Sequence, residues 1–224
     1  ALEDKWILDK LNTLAANVCQ NLDSYEVGVA LSNIYDFVWD IFCDWYIELA
    51  KTRLSAGDTV AQNVIAYVLR ETLKLLHPFM PFITEEIYCK MPHDCESIMI
   101  SSFPRENAAL RFAAESAEME KVIAMIKAIR ARRTEMGVAP SRRAKLYLVT
   151  ASRETFAGAA AFFKKLAGAS EVELTDGYDD PTAVQIITDS ATAYIPLADM
   201  IDFEAERARL TAELEKNGKE IQRV

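Results

Sequence analysis

The chain has 224 residues, about half of them apolar, and a formal net charge of −9. That length supports one hydrophobic core, or one core and a smaller satellite. No apolar run approaches the roughly 20 residues of a membrane span, the opening Ala1-Leu2-Glu3-Asp4-Lys5 has neither the basic nor the apolar stretch of a secretion signal, and no phosphate-cradling G-x-x-x-x-G-K-[ST] loop or nucleophile elbow occurs.

In the first segment Ile7, Leu11, Leu14, Val18 and Leu22 recur at three- and four-residue steps, the period of one helical face. Asp23-Ser24 breaks it and is expected to cap the next helix. That second helix is long. Its stripe is Val27, Leu31, Ile34, Val38, Ile41, Trp45 and Leu49, widened by Phe37, Phe42 and Tyr46. A face that wide predicts packing against two neighbours. Ala56-Gly57-Asp58 is a turn, and Val60, Val64, Val68, Leu75 and Leu76 mark a third helix from about Thr59 to His77, stopped by Pro78. Pro81 opens a fourth helix and Pro92 closes it. Four helices with short connections predict an antiparallel bundle over residues 1–107.

A connector at 97–107 leads to a fifth helix with Phe112, Met119, Val122, Ile126, Ile129 and Arg133 on one side, ending at Met136-Gly137 ahead of Pro140. This basic connecting helix occupies 108–142. The period then changes. Lys145 to Val149 is β-branched and aromatic, Glu154 to Ala167 helical, and Glu171–Leu174, Val184–Ile187 and Tyr194–Leu197 read as strands, a small α/β unit over 143–199. From 200 to 224, Phe203, Arg207, Leu210, Leu214, Asn217, Ile221 and Val224 follow heptad spacing. The pattern still runs at the last residue. With Ala1 in place of a start methionine, it suggests a piece of a longer protein with a truncated coiled-coil arm.

Cys19, Cys43, Cys89 and Cys95 form no C-x-x-C pair, and His77 and His93 stand away from any cysteine pair. No zinc site is expected, and a reduced, cytoplasmic setting is. Charge is unevenly spread: residues 1–107 carry 8 basic and 16 acidic side chains, residues 108–145 carry 9 and 4. One basic segment inside an acidic protein is compatible with a local nucleic-acid contact.

The block Leu31-Ser32-Asn33-Ile34-Tyr35-Asp36-Phe37-Val38-Trp39-Asp40-Ile41-Phe42-Cys43-Asp44-Trp45-Tyr46-Ile47-Glu48 closely resembles the anticodon-domain helix of valyl-tRNA synthetases. Four further stretches agree in order and spacing: Lys5 to Leu11, Leu76 to Tyr88, Ile98 to Pro104 and Ile129 to Pro140. The H-P-F-M-P-F-x-T-E-E block by itself resembles all the large aliphatic class I synthetases, isoleucyl and leucyl included. The F-C-D-W-Y block and the R-x-x-M-x-x-x-P helix end point to the valyl family. The resemblance covers the whole chain, more strongly over 1–145.

It implies a mainly α fold: an antiparallel bundle of the class I anticodon-binding type, then a small α/β unit and the start of a coiled-coil arm. It implies a parent enzyme that joins valine to its tRNA using ATP and magnesium. The family's H-I-G-H and K-M-S-K-S signatures are absent, so no cofactor is expected in this chain and no amino-acid activation by it alone. The partners implied are valine tRNA and the catalytic domain of the same polypeptide, with no membrane and a monomeric state. Anticodon bases can be splayed and stacked on aromatic or apolar side chains, and the family's plausible rim for the central A and third C of a valine anticodon falls here on Lys10, Tyr25, Val27, Cys89 and Lys90. Val27 stands where relatives often carry an aromatic residue and Lys10 where they often carry arginine; a stacked base loses a partner, and a bidentate contact becomes a point charge. Lys127, Arg130, Arg132, Arg133, Arg142 and Arg143 would face the tRNA backbone.

Other readings of the same residues stand beside these. Trp39, Trp45 and Tyr46 suit a two-sided core, Asp36, Asp40 and Asp44 an exposed acidic face, and His77 a helix-terminal histidine satisfied by backbone. Arg130 and Arg133 could instead pair with acidic side chains of the bundle. The rival functions are an isoleucyl- or leucyl-type anticodon domain and a helical protein–protein adaptor that dimerises through its heptads.

Overall fold

The computed structural model describes residues 1–93, 95–200 and 211. The arm expected over 200–224 lies, apart from Met200 and Thr211, outside the described residues. Two compact units divide the chain, Ala1–Met119 and Glu120 onward.

In the first unit the helices are α1 (Leu2–Asp23), α2 (Val27–Asp36), α3 (Glu48–Ser55), α4 (Thr59–Leu76) and α5 (Pro81–Tyr88). Between α2 and α3 the chain continues without a break as a π-helical stretch, Phe37–Ile47. Its aromatic spacing fits that winding. In an α-helix, residues five apart point about 140° away from each other. Here Phe37 and Phe42 stack with centroids 6.4 Å apart and planes within 5°, and Phe42 stacks in turn on Tyr46. An i→i+5 helix aligns these rings in one buried column, and Trp45 and Tyr46 join the core as the wide stripe predicts. Trp39 does not: it is 53 % exposed and tilts against Tyr35. Asp36, Asp40 and Asp44 form the exposed acidic face.

The buried face at the start of α2 is rotated from the expected one. Ala30 and Ile34 are buried while Val27, Val29 and Leu31 are exposed, so of the start of the stripe Ile34 alone is buried, together with the small Ala30, as α2 packs on α1. Asp23-Ser24 ends α1 but does not cap α2; the chain turns through Tyr25 at φ +62° and α2 starts from Glu26 without a side-chain cap. At the next turn Asp58 does cap, accepting the N–H groups of Val60 at 2.9 Å and Ala61 at 3.2 Å.

One polar knot defines an end of this bundle. Arg53, at the close of α3, donates to Glu3 (2.7 Å), Asp4 (2.8 Å) and Asp58 (2.8 Å), while the Tyr46 hydroxyl donates to Asp4 at 2.9 Å. The starts of α1 and α4 therefore meet the end of α3. Since α1 packs along both α2 and α4, the α1–α2 turn and the α4–α5 junction belong to the opposite end.

The H-P-F-M-P-F-x-T-E-E block is that junction. Pro81 starts α5. The buried Thr84 hydroxyl donates to the Met80 carbonyl (2.8 Å) and lies 2.7 Å from His77 Nδ1, which makes the imidazole N–H the donor to it. His77 is thus held by side chains, Thr84 and the Met99 sulfur, in place of the backbone partner expected. Burial opposes ionisation of Glu85, but the Ser97 hydroxyl, the Cys89 thiol and the Ile98 N–H all donate to it and hold its carboxyl below the usual range. The connector returns to α1: the Asn107 N–H donates to Asn12 at 2.7 Å and the Phe112 N–H to Asp9 at 2.9 Å. Phe112 thereby precedes the helix α6 (Ala113–Glu135) instead of lying within it.

The second unit carries a four-stranded sheet, β1 (Ala144–Thr150), β2 (Ala169–Leu174), β3 (Val184–Ile187) and β4 (Ala191–Ile195), in the order β2-β1-β4-β3. β1 and β2 are parallel; both pairs involving β4 are antiparallel. A parallel pair needs a crossover, supplied by α7 (Arg153–Gly158) and α8 (Ala160–Leu166), two short helices where the sequence predicts one. Phe156 and Phe163 stack at 5.8 Å and are fully buried. A short helix α9 (Leu197–Met200) follows β4.

Candidate nucleic-acid interface

At the end of the bundle away from Arg53, two aromatic rings stand out in water. Tyr25 is 90 % exposed because its left-handed backbone turns it off both helices. Phe82 is also 90 % exposed, in the first turn of α5 between Pro81 and the half-exposed Ile83. Met80 and Val29 add exposed apolar surface from the same two junctions. Exposed aromatics cost hydration free energy without a partner, and splayed bases are one partner that suits them.

Of the rim residues expected from sequence, Tyr25 and Val27 fall at this end, Tyr25 at the turn and Val27 at the first residue of α2, half-exposed. Lys10 is half-buried midway along α1. Cys89 and Lys90 are exposed at the far end of α5, and both engage their own helix: the thiol donates to Glu85 at 3.4 Å and the ammonium pairs with Glu86. Burial, then Glu85, raises the Cys89 thiol above its ordinary range; the Glu86 pairing raises Lys90. Phe82 was missed by sequence reasoning, absorbed into a family hallmark. The signal that could have found it is its place one residue after a proline at the first helical position, where a side chain can point outward from the helix end.

The basic set divides. Arg132 pairs with Glu135 at 3.2 Å on the surface of α6, and Lys127 is exposed on the same helix. Arg142 turns to the end of the unit, donating to the carbonyls of Asp199 (2.7 Å) and Ala198 (3.2 Å). Arg130, Arg133 and Arg143 come together around one cavity of about 380 Å³, joined by Lys165 of α8. Three guanidiniums there reach main-chain carbonyls: Arg130 to Leu166 at 2.7 Å, Arg133 to Arg142 at 2.5 Å, and Arg143 to Lys164. Two of these carbonyls close α8, where cations are favoured by the helix dipole. Sequence reasoning missed Lys165, which looks like one more solvated charge on a short amphipathic helix.

Among the described residues no group of three or more His, Cys, Asp or Glu side chains could hold a metal ion, and no helix is long and apolar enough to cross a membrane.

A bundle with an aromatic, apolar end and basic side chains on a following helix defines a class. The family model described as the anticodon-binding domain of tRNA ligases matches residues 4–148, and the chain belongs to that family. It is a tRNA-binding domain. Over its whole length it is similar to the valine–tRNA ligase of Clostridium perfringens, 40 % identical over 232 residues, which is 26 % of that protein. It is similar as well to the valine–tRNA ligases of Clostridium tetani (43 % over 216 residues, 93 % of this chain and 24 % of that protein) and of Bacillus cereus (38 % over 218 residues, 94 % and 25 %). The chain thus spans about a quarter of the length of the curated relatives it matches.

Proposed function

We propose that this chain reads the anticodon of valine tRNA as part of a valine–tRNA ligase. The parent enzyme joins valine to that tRNA using ATP and magnesium, and the catalytic domain of the same polypeptide carries those steps. No residues here match the signatures that hold ATP, so no chemical step is assigned to this chain. A monomeric, cytoplasmic parent fits the reading.

The observation that carries it is the exposure of Tyr25 and Phe82 at one end of the bundle. Anticodon bases are single-stranded and offer π-faces; stacking on an aromatic ring contributes about 1–3 kcal/mol per base. Lys10 and Lys90 supply positive charge toward loop phosphates, and the basic side chains of α6 and the β1 approach, Lys127 to Arg143, follow the backbone. The charge balance sets the strength. With sixteen acidic against eight basic side chains in residues 1–107, long-range attraction is weak, so affinity rests on short-range stacking and on few phosphate contacts.

A fluorescent base analogue placed at the central anticodon position of the transcript tests this. Stacking quenches or shifts its emission when the chain is added, and a Phe82→Ala chain restores the free signal. An unchanged emission at saturating chain removes the stacking role.

A further inference from the structure

We propose that the cavity bounded by Arg130, Arg133, Arg143 and Lys165 is a binding site for a single phosphate group, either a tRNA phosphodiester or free inorganic phosphate.

Arg133 carries the argument. It lies near the C-terminus of α6 and is only 7 % exposed. Its polar partners among the described residues are two main-chain carbonyls, of Arg142 at 2.5 Å and Ala139 at 3.4 Å, and neither is an anion. A buried guanidinium satisfied only by carbonyls keeps its formal charge uncompensated, a costly arrangement unless an anion arrives. Burial, and then the neighbouring charge of Arg143, pull Arg133 below its ordinary range. The charged side chains of the wall are all cationic: Arg130, Arg143 and Lys165 join Arg133, Thr134 adds a hydroxyl, and among the described residues no carboxylate lines the cavity.

The site is also built to keep Arg133 in place. Gly168 holds φ +71°, and a Cβ there would meet Arg133 Cζ at 3.1 Å. The absence of a side chain lets the guanidinium lie flat against the turn entering β2. The carbonyl bonds of Arg130 and Arg143 to α8 fix two more forks at the rim. Guanidinium forks match the paired oxygens of a phosphate, and at about 30 Å³ per water the cavity holds a phosphate with several waters. All the lining residues belong to the second unit, so the site does not depend on anticodon reading; only the tRNA source of the phosphate rests on the proposed function.

The full chain, labelled with 15N, is titrated with inorganic phosphate at constant ionic strength while the amides of Ala167 and Gly168 are followed. Saturable shifts are expected there, weakened about tenfold by Arg143→Gln, which removes one charged donor at an exposed position, and unchanged by Arg105→Gln, which makes the same charge change in the first unit. No saturable shift, or an equal shift in the Arg143→Gln chain, overturns the proposal whatever happens with RNA. A second arm measures binding of valine tRNA against salt. A weaker affinity and a shallower salt slope for Arg143→Gln assign the site to a phosphodiester. An unchanged slope, or no tRNA binding at all, assigns it to the free anion and leaves the phosphate result standing.

Discussion

The guanidinium of Arg133 occupies the space that a side chain at Gly168 would need, with Cζ 3.1 Å from the position of that missing Cβ. Gly168→Ala therefore adds a steric conflict to a left-handed backbone that alanine adopts at a cost. The second unit should lose about 1–3 kcal/mol of stability, read as a lower denaturant midpoint. The same substitution at Gly158, where nothing lies within 4 Å and φ is not positive, should be neutral or slightly stabilising.

The knot at Arg53 ties the starts of α1 and α4 to the end of α3. Glu3 and Asp4 are buried and share Arg53 as their cation. Arg53→Met removes the cation of Glu3 and leaves Asp4 with the Ala1 ammonium at 3.0 Å and the Tyr46 hydroxyl, and the loss should be about 2–3 kcal/mol, at or below the usual range because Arg53 keeps 24 % of its side chain in water. Chemical denaturation at pH 7 measures it.

Asp58 gives that knot a pH dependence of known sign. The Ala61 N–H and then the Arg53 side chain hold its carboxyl below the usual value. A depressed carboxyl contributes stability above its unfolded value, about 3.9, and the contribution disappears as pH falls through the folded value. Asp58→Asn keeps a cap acceptor but removes the charge, so the thermal midpoint of the bundle should fall at pH 6, and the gap to the native chain should start to close at about pH 4 and vanish only below the depressed folded value.

Cys89 is exposed yet should react slowly. Burial and the adjacent Glu85 raise its thiol, and the thiolate is the nucleophile. Alkylation at neutral pH, followed by mass spectrometry, should be several-fold slower at Cys89 than in the unfolded chain. Glu85→Gln should speed it, while also loosening Ser97 and Ile98, which the same carboxylate holds.

How far the sequence could be read depended on what set each element's geometry. Prolines and period did so for α4 and α5: Pro78 and Pro81 end one helix and start the next without help from distant contacts. The strand at Lys145 to Val149 was equally plain, an aliphatic and aromatic run after an arginine-rich stop. The π-helical stretch was hidden, because Val38, Ile41 and Trp45 satisfy a 3.6 period well enough while the winding answers to the Phe37–Phe42–Tyr46 stack and its burial. Val27 and Leu31 misled for a related reason: a bulky stripe looks like the packed face, but the face of α2 that is buried carries Ala30 and Ile34. At the interface, Tyr25 was legible from its place in a turn, and Phe82 was not, since its exposure depends on how the start of α5 packs. Which arginines converge is set by the fold of a crossover, α7 and α8, far along the chain from α6.

The most direct test compares binding of the full chain to valine tRNA transcripts carrying the native or a swapped anticodon, at low and moderate salt, with the native and Phe82→Ala chains. Tighter binding to the valine anticodon, lost by about tenfold or more in Phe82→Ala and weakened by salt for both transcripts, is the predicted result. Equal affinity for both transcripts, unchanged by Phe82→Ala, would contradict anticodon reading by this end of the bundle.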